Sequence, residues 1–233
     1  MPSTVTALRR YPVKAMGGEE LSTVDLDARG IVGDRWFAVT DDDGRLASGK
    51  DTRRFRRRDA VFGYAARTVD DRVRVRAVEP GGPEWDIDDP ALAAELSAAT
   101  GVPVTVRPEG AVAHQDGAGL SLVGTATLRW CAERFDDVGD PRRLRANIVV
   151  STDVPFVEES WVGQHVDVGS ATIVVTERVV RCRTIDLAQD GVVPQGRWLA
   201  GLVAERDVRV AVYAEVMSPG RIRAGDVLAV RPR

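Results

Sequence analysis

Apolar residues alternate with polar ones along most of this chain, a period of two that fits the two faces of a β-strand and not the 3.6-residue turn of a helix. The alternation predicts strands at Val5 to Leu8, Leu21 to Leu26, Trp36 to Val39, Val73 to Ala77, Val104 to Val106, Ile148 to Val150, Ile173 to Val175, Val208 to Val216 and Val227 to Val230. In DRVRVRAV (71–78) the valines alternate with Arg72, Arg74 and Arg76, which reads as a half-buried strand with its charges in water. DDDG (41–44) and EPGGP (79–83) supply turn residues between such strands.

Three segments depart from this period. At 89–101, Asp89 is placed to cap, Pro90 suits the first helical position and Gly101 suits a left-handed stop. Around 125–135, Leu128, Cys131, Ala132 and Phe135 fall on one helical face, and near 197–206 Trp198, Leu199, Leu202 and Val203 do the same. The expected class is therefore α+β, mainly β with a few helices. With 44% apolar and 29% charged residues among 233, the chain is neither disordered nor fibrous and can bury a core without disulfide or metal staples. Val102-Pro103, after the first helix, suggests a boundary near 107, giving modules 1–107 and 108–233. The absence of an apolar run of about 18 residues and of a cleavable leader in MPSTVTALRRYPVK predicts a cytoplasmic protein with no membrane contact. Thirty-two basic against thirty-five acidic residues, a net charge of −3, argue against a nucleic-acid-binding surface.

Chemistry-bearing residues are sparse. Cys131 and Cys182 have no CxxC spacing, so neither a zinc ribbon nor a disulfide framework is indicated. His114 and His165 have no neighbouring nucleophile and are expected to be structural or solvent-facing. Cys131, on the apolar helical face, reads as core packing. GRLASGKD (44–51) nearly matches a phosphate-binding loop, but Asp51 replaces the metal-binding hydroxyl and no apolar helical stripe follows, so a hairpin turn is expected. Arg53, Arg54, Arg56, Arg57 and Arg58 read as a solvated basic face, with anion binding the alternative. The acidic pairs, among them Asp136 with Asp137 and Glu158 with Glu159, fall in turn-like segments. Cys182 ends a long apolar run within RVVRCRT, between Arg181 and Arg183; a thiolate is the form of cysteine that attacks or binds a soft metal. Strand alternation would turn both arginines away from it, and a buried structural thiol is the alternative reading.

Six ordered segments, YPVKAMGG (11–18), GIVGDRWFAV (30–39), RLRANIVV (143–150), PFVEESW (155–161), RCRTID (181–186) and GRIRAGDVL (220–228), together resemble the MOSC family. The resemblance spans nearly the whole chain and is particularly to the branch of the mitochondrial amidoxime-reducing components, in which an N-terminal β-barrel module precedes the MOSC β-barrel domain. It implies a molybdenum–molybdopterin cofactor whose metal takes one protein thiolate, here Cys182. It further implies that Lys14, Arg35, Arg145, Asn147 and Arg181 hold the cofactor and its phosphate, with Asp116 and Gly117 lining the pterin more loosely. Ala15 stands where the family usually has serine, Leu144 and Ala146 where it has phenylalanine and proline around Arg145, and Val210 and Ala211 where Phe-Gly often precedes Tyr213.

The function implied is reduction of N-hydroxylated compounds, amidoximes or hydroxylamines, by oxygen-atom transfer to molybdenum. The chain ends at Arg233 without an iron–sulfur domain, so a separate ferredoxin- or flavoprotein-type electron donor is expected. The alternative is a non-catalytic carrier or sulfur-handling protein for the same cofactor. Pyridoxal phosphate, associated with some barrel relatives, is not expected, since Lys14 is the only lysine in a recognised motif.

Overall fold

The alternating segments hydrogen-bond into four sheets in a computed structural model that describes residues 2–231. The largest sheet has eight strands in the order Leu228–Val230, His165–Val168, Ala171–Val180, Arg209–Ser218, Leu120–Gly124, Ile148–Val150, Val5–Arg10, Glu19–Leu21. Its inward side chains, among them Leu8, Leu122, Ile148, Ile173 and Val212, are fully buried in one core, each contributing about 1.5–3 kcal/mol. The long pair Ala171–Val180 and Arg209–Ser218 carries three register shifts, and such bulges bend a strand and increase its twist. Residues from the start of the chain complete this sheet: Val5 pairs with Val150 and Leu8 with Ile148.

A second core, including Val13, Met16, Val39, Phe62, Val75, Leu92 and Leu96, lies under two smaller sheets. One orders Glu84–Asp86, Arg72–Ala77 and Tyr64–Val69; the other orders Val104–Pro108, Phe37–Asp41, Leu46–Ser48 and Phe55–Arg57. Helix α1, Pro90–Thr100, covers this core with Leu92 and Leu96. Asp89 accepts from Ala91 N at 2.8 Å, and Gly101 stops the helix at φ 72°. The mainly-β, α+β class read from the sequence holds, and the three described helices, α1, α2 (Thr125–Phe135) and α3 (Trp198–Arg206), lie where their spacing predicted. No described helix is long and apolar enough to cross a membrane.

Four readings change. The run Leu21 to Leu26 is two strands, Glu19–Leu21 and Thr23–Asp27, which break at Ser22 and join different sheets. Segment 44–51 is not a hairpin turn: the hairpin closes at Asp41 to Arg45, and Leu46–Ser48 then runs parallel to Phe55–Arg57. The loop between them holds itself, with Thr52 Oγ1 accepting from Arg54 N and Phe55 N and Asp51 from Arg57 N. Val203 is 60% exposed, because α3 buries only Trp198 and Leu202, one turn apart, and leaves the third flank in solvent. Glu158, in a turn as expected, is nevertheless fully buried: its carboxylate accepts from Gly124 N at 3.0 Å at the start of α2.

Candidate functional site

Between the second core, which lends Ala15 and Phe62, and a third, which lends Leu144, Val179 and Ile185, a cleft of about 870 Å³, counted out to its open mouth, is walled by residues from both halves of the chain. Lys14 enters from a segment of the second core, where Val13, Ala15 and Met16 are buried, its amide donating to Phe37 O at 2.8 Å. Its side chain is 4% exposed, and Nζ donates to His114 O at 2.7 Å and to Asp116 Oδ2 at 3.2 Å. Lys50 reaches the other oxygen of the same carboxylate at 3.0 Å. Burial pulls the Lys14 ammonium down to about 8 despite Asp116 beside it. Desolvation would raise Asp116, but Lys14 and Lys50 outweigh it and hold the carboxyl well below the usual range.

The strand Ala171–Val180 ends one residue before Arg181, so the expected alternation fails there. Arg181 folds back, Nε donating to Val210 O and Nη1 to Leu144 O, each at 2.9 Å, and lines the cleft together with Cys182. Cys182 is partly exposed, with Sγ 3.3 Å from the Thr184 hydroxyl. Arg183 crosses to the other half of the chain, donating to Asp59 at 2.7 and 2.9 Å and to Gly49 O at 3.2 Å. Gly49 packs closely there: a Cβ on it would crowd Thr184 Oγ1, which would have to shift.

Opposite the thiol, Arg35 and Arg145 both take left-handed backbone angles, at φ 52°, as does Ala15 at φ 66°. Such angles in side-chain-bearing residues cost of order 1 kcal/mol or more each and concentrate where geometry is functional. The two guanidiniums stack on Tyr11, Arg145 at 4.3 Å and Arg35 at 4.8 Å. Arg35 is neutralised by Asp34. Arg145 is not: both of its Nη atoms are buried without a hydrogen-bond partner, and so is Nη2 of Arg181. Burial, then repulsion from Arg35, draws Arg145 down to about 10, which leaves it charged at neutral pH. Buried donors without acceptors are costly unless an anion completes them.

Neighbouring residues with similar chemistry are already spent. Arg143 lines the floor, but its guanidinium is held by Asp137, Asp186, Ile185 O and Gly196 O. Asn147 is 2% exposed; Nδ2 donates to Arg9 O at 3.2 Å and Oδ1 accepts from Ser121 N at 3.2 Å, so this side chain joins elements more than it faces the cleft. Gly117 does not line the cleft: it lets Tyr213 approach, since a Cβ there would come within 2.5 Å of the ring.

Of the eight residues singled out from the sequence, Lys14, Arg35, Asp116, Arg145, Asn147, Arg181 and Cys182 converge on this cleft. Lys50, Thr184 and Tyr213 line it as well; Thr184 lies in the RCRT motif, whereas Lys50 lies in segment 44–51, where the sequence carries no complete site motif. Cys131 is sealed in hydrocarbon, and burial pushes its thiol up to about 12. His114 is buried, with Nδ1 3.0 Å from Arg35 O. Among the described residues no three His, Cys, Asp or Glu side chains converge to hold a metal ion. A metal bound through Cys182 would therefore bring its other ligands with it.

Residues 109–229 match the MOSC domain, and residues 2–113 match the MOSC N-terminal beta barrel domain. A search of curated proteins gave no match. Among solved structures, the YUAD protein from Bacillus subtilis aligns over 98% of this chain and 94% of its own at 13% identity, with a TM-score of 0.53, a likeness of fold. YiiM from Escherichia coli aligns over 100% of this chain and 69% of its own, at 13% identity and a TM-score of 0.46.

Proposed function

The chain belongs to the MOSC family, and from that membership and the cleft we propose that it is a molybdenum-cofactor-dependent oxidoreductase acting on N-hydroxylated compounds such as amidoximes and hydroxylamines. The observation that carries the reading is the meeting, in one cleft, of a partly exposed thiol with buried guanidinium donors that lack an acceptor. A molybdenum–molybdopterin cofactor suits this donor set: its dithiolene supplies the metal ligands the protein lacks, and its phosphate supplies the missing acceptor.

In this reading Cys182 is the protein's single ligand to the metal, held in place by Thr184 beside it and by the Arg183–Asp59 pair. Arg145 and Arg35, fixed on Tyr11, take the phosphate with Lys14 behind them, Lys as a point charge and Arg as a fork. Arg181 points a spare donor into the cleft, and Asp116 positions the two lysines. When bound, the cofactor supplies two-electron oxygen-atom transfer; the polypeptide binds, orients and tunes it. The reducing equivalents come from a separate ferredoxin- or flavoprotein-type donor.

Expression in a host that makes molybdopterin, followed by metal and pterin analysis and by turnover of benzamidoxime with an artificial electron donor, tests the proposal. Molybdenum near one per chain with turnover supports it. Bound cofactor without turnover leaves a carrier or sulfur-handling role in its place, and protein free of molybdenum and pterin from such a host overturns both.

A further inference from the structure

We propose that Lys50, backed by Arg54, forms an anion-recognising lip at the mouth of the cleft, so that among N-hydroxylated compounds the protein favours those that also carry a carboxylate. The inference rests on reading this cleft as the reductase site. The strand Leu46–Ser48 and Gly49 form one wall, and Gly49 packs on Thr184, whose hydroxyl is 3.3 Å from Cys182 Sγ. The next residue, Lys50, lines the same cleft as Cys182; its ammonium meets Asp116 at 3.0 Å and its side chain is 36% exposed.

Charge is in surplus there. Three cations gather on the Phe55 ring, Lys14 at 4.5 Å, Lys50 at 4.9 Å and Arg54 at 4.4 Å. Among the residues lining the cleft, Asp116 is the only acid, and both lysines share it. Arg54 donates to the backbone carbonyls of Gln115 and Asp116 and meets no carboxylate. Lys14 is buried and, in the proposed reading, is committed to the cofactor phosphate. Lys14, Lys50 and Arg54 against the one carboxylate of Asp116 leave the cluster positive, and of the two lysines Lys50 is the one in reach of solvent. Val180, 60% exposed and also lining the cleft, offers an apolar surface to the body of the same ligand.

Equilibrium binding and turnover of benzamidoxime and 4-carboxybenzamidoxime, measured on the cofactor-loaded protein, test this. The wild type is expected to bind the carboxylated compound about fivefold more tightly, the worth of a half-exposed ion pair. Lys50→Met brings the ratio of the two dissociation constants to about one, and Lys50→Glu inverts it; Arg54→Gln lowers it partway. Equal binding of the two compounds by the wild type, or a preference that survives Lys50→Met, overturns the inference. Turnover of both compounds without preference sinks the lip and spares the reductase, whereas a Lys50-dependent binding preference without turnover sinks the reductase and spares the lip.

Discussion

Arg143 and Arg145 stand two residues apart and differ completely in what their guanidiniums hold. Arg143 is saturated by Asp137, Asp186 and two backbone carbonyls; both Nη atoms of Arg145 are buried with no acceptor. The first arrangement is a structural knot; the second leaves donors that the proposed cofactor's phosphate would complete.

The two arginines therefore respond oppositely to substitution. Arg143→Met leaves the buried Asp137 carboxylate with backbone donors but no counter-charge, and is expected to lower the unfolding free energy by about 3 kcal/mol. Arg145→Gln removes an uncompensated charge and is expected to stabilise the empty protein by about 1 kcal/mol while abolishing retention of the pterin. Denaturant titration and pterin analysis of both variants check this, and equal destabilisation would make Arg145 a structural residue.

The two cysteines separate in the same way. A thiol reagent should label Cys182 and not Cys131 in the native protein, since Cys131 is fully buried with its thiol pushed up to about 12. Cys182→Ala should lose molybdenum with little change in stability, whereas Cys131→Ser buries a hydroxyl and costs about 1–3 kcal/mol. Retention of molybdenum by Cys182→Ala would remove the proposed ligand.

Lys14 gives the site a pH dependence. Its ammonium is drawn from 10.5 to about 8 in the fold, so between those values the unfolded chain binds more protons than the folded one. Stability of the empty protein should accordingly rise with pH across that window, by on the order of 3 kcal/mol, and that contribution is lost as pH falls through about 8. Inorganic phosphate needs the charged form, so its affinity for the empty cleft should fall as pH rises through about 8. Calorimetry on wild type and Lys14→Met checks both slopes, and parallel slopes in the variant would exclude Lys14 as their source.

Gly49→Ala should act at a distance along the wall. The added methyl displaces Thr184 Oγ1 from its place beside Cys182. We expect at least a tenfold loss of turnover together with a stability loss of about 1–3 kcal/mol, because Gly49 is buried and the methyl overpacks the wall. Wild-type turnover in Gly49→Ala would show that the wall does not position the thiol.

Short-range physics made much of this chain legible from its order of residues. The two-residue period marked the strands, and Asp89, Pro90 and Gly101 delimited α1 because caps and stops depend on groups within a few positions. A period cannot say which sheet a strand joins, and so the break at Ser22 and the parallel course of Phe55–Arg57 were not visible.

The motifs named Lys14, Arg35, Arg145 and Cys182, residues up to 168 positions apart, and only the packing of two cores brings them into one cleft. Tertiary structure also decided which charges are free. Arg143 and Arg145 carry the same group in the sequence, but whether a guanidinium is neutralised depends on which distant carboxylate the fold brings within about 3 Å. Electrostatics reads distances through space, and chain order leaves those undetermined.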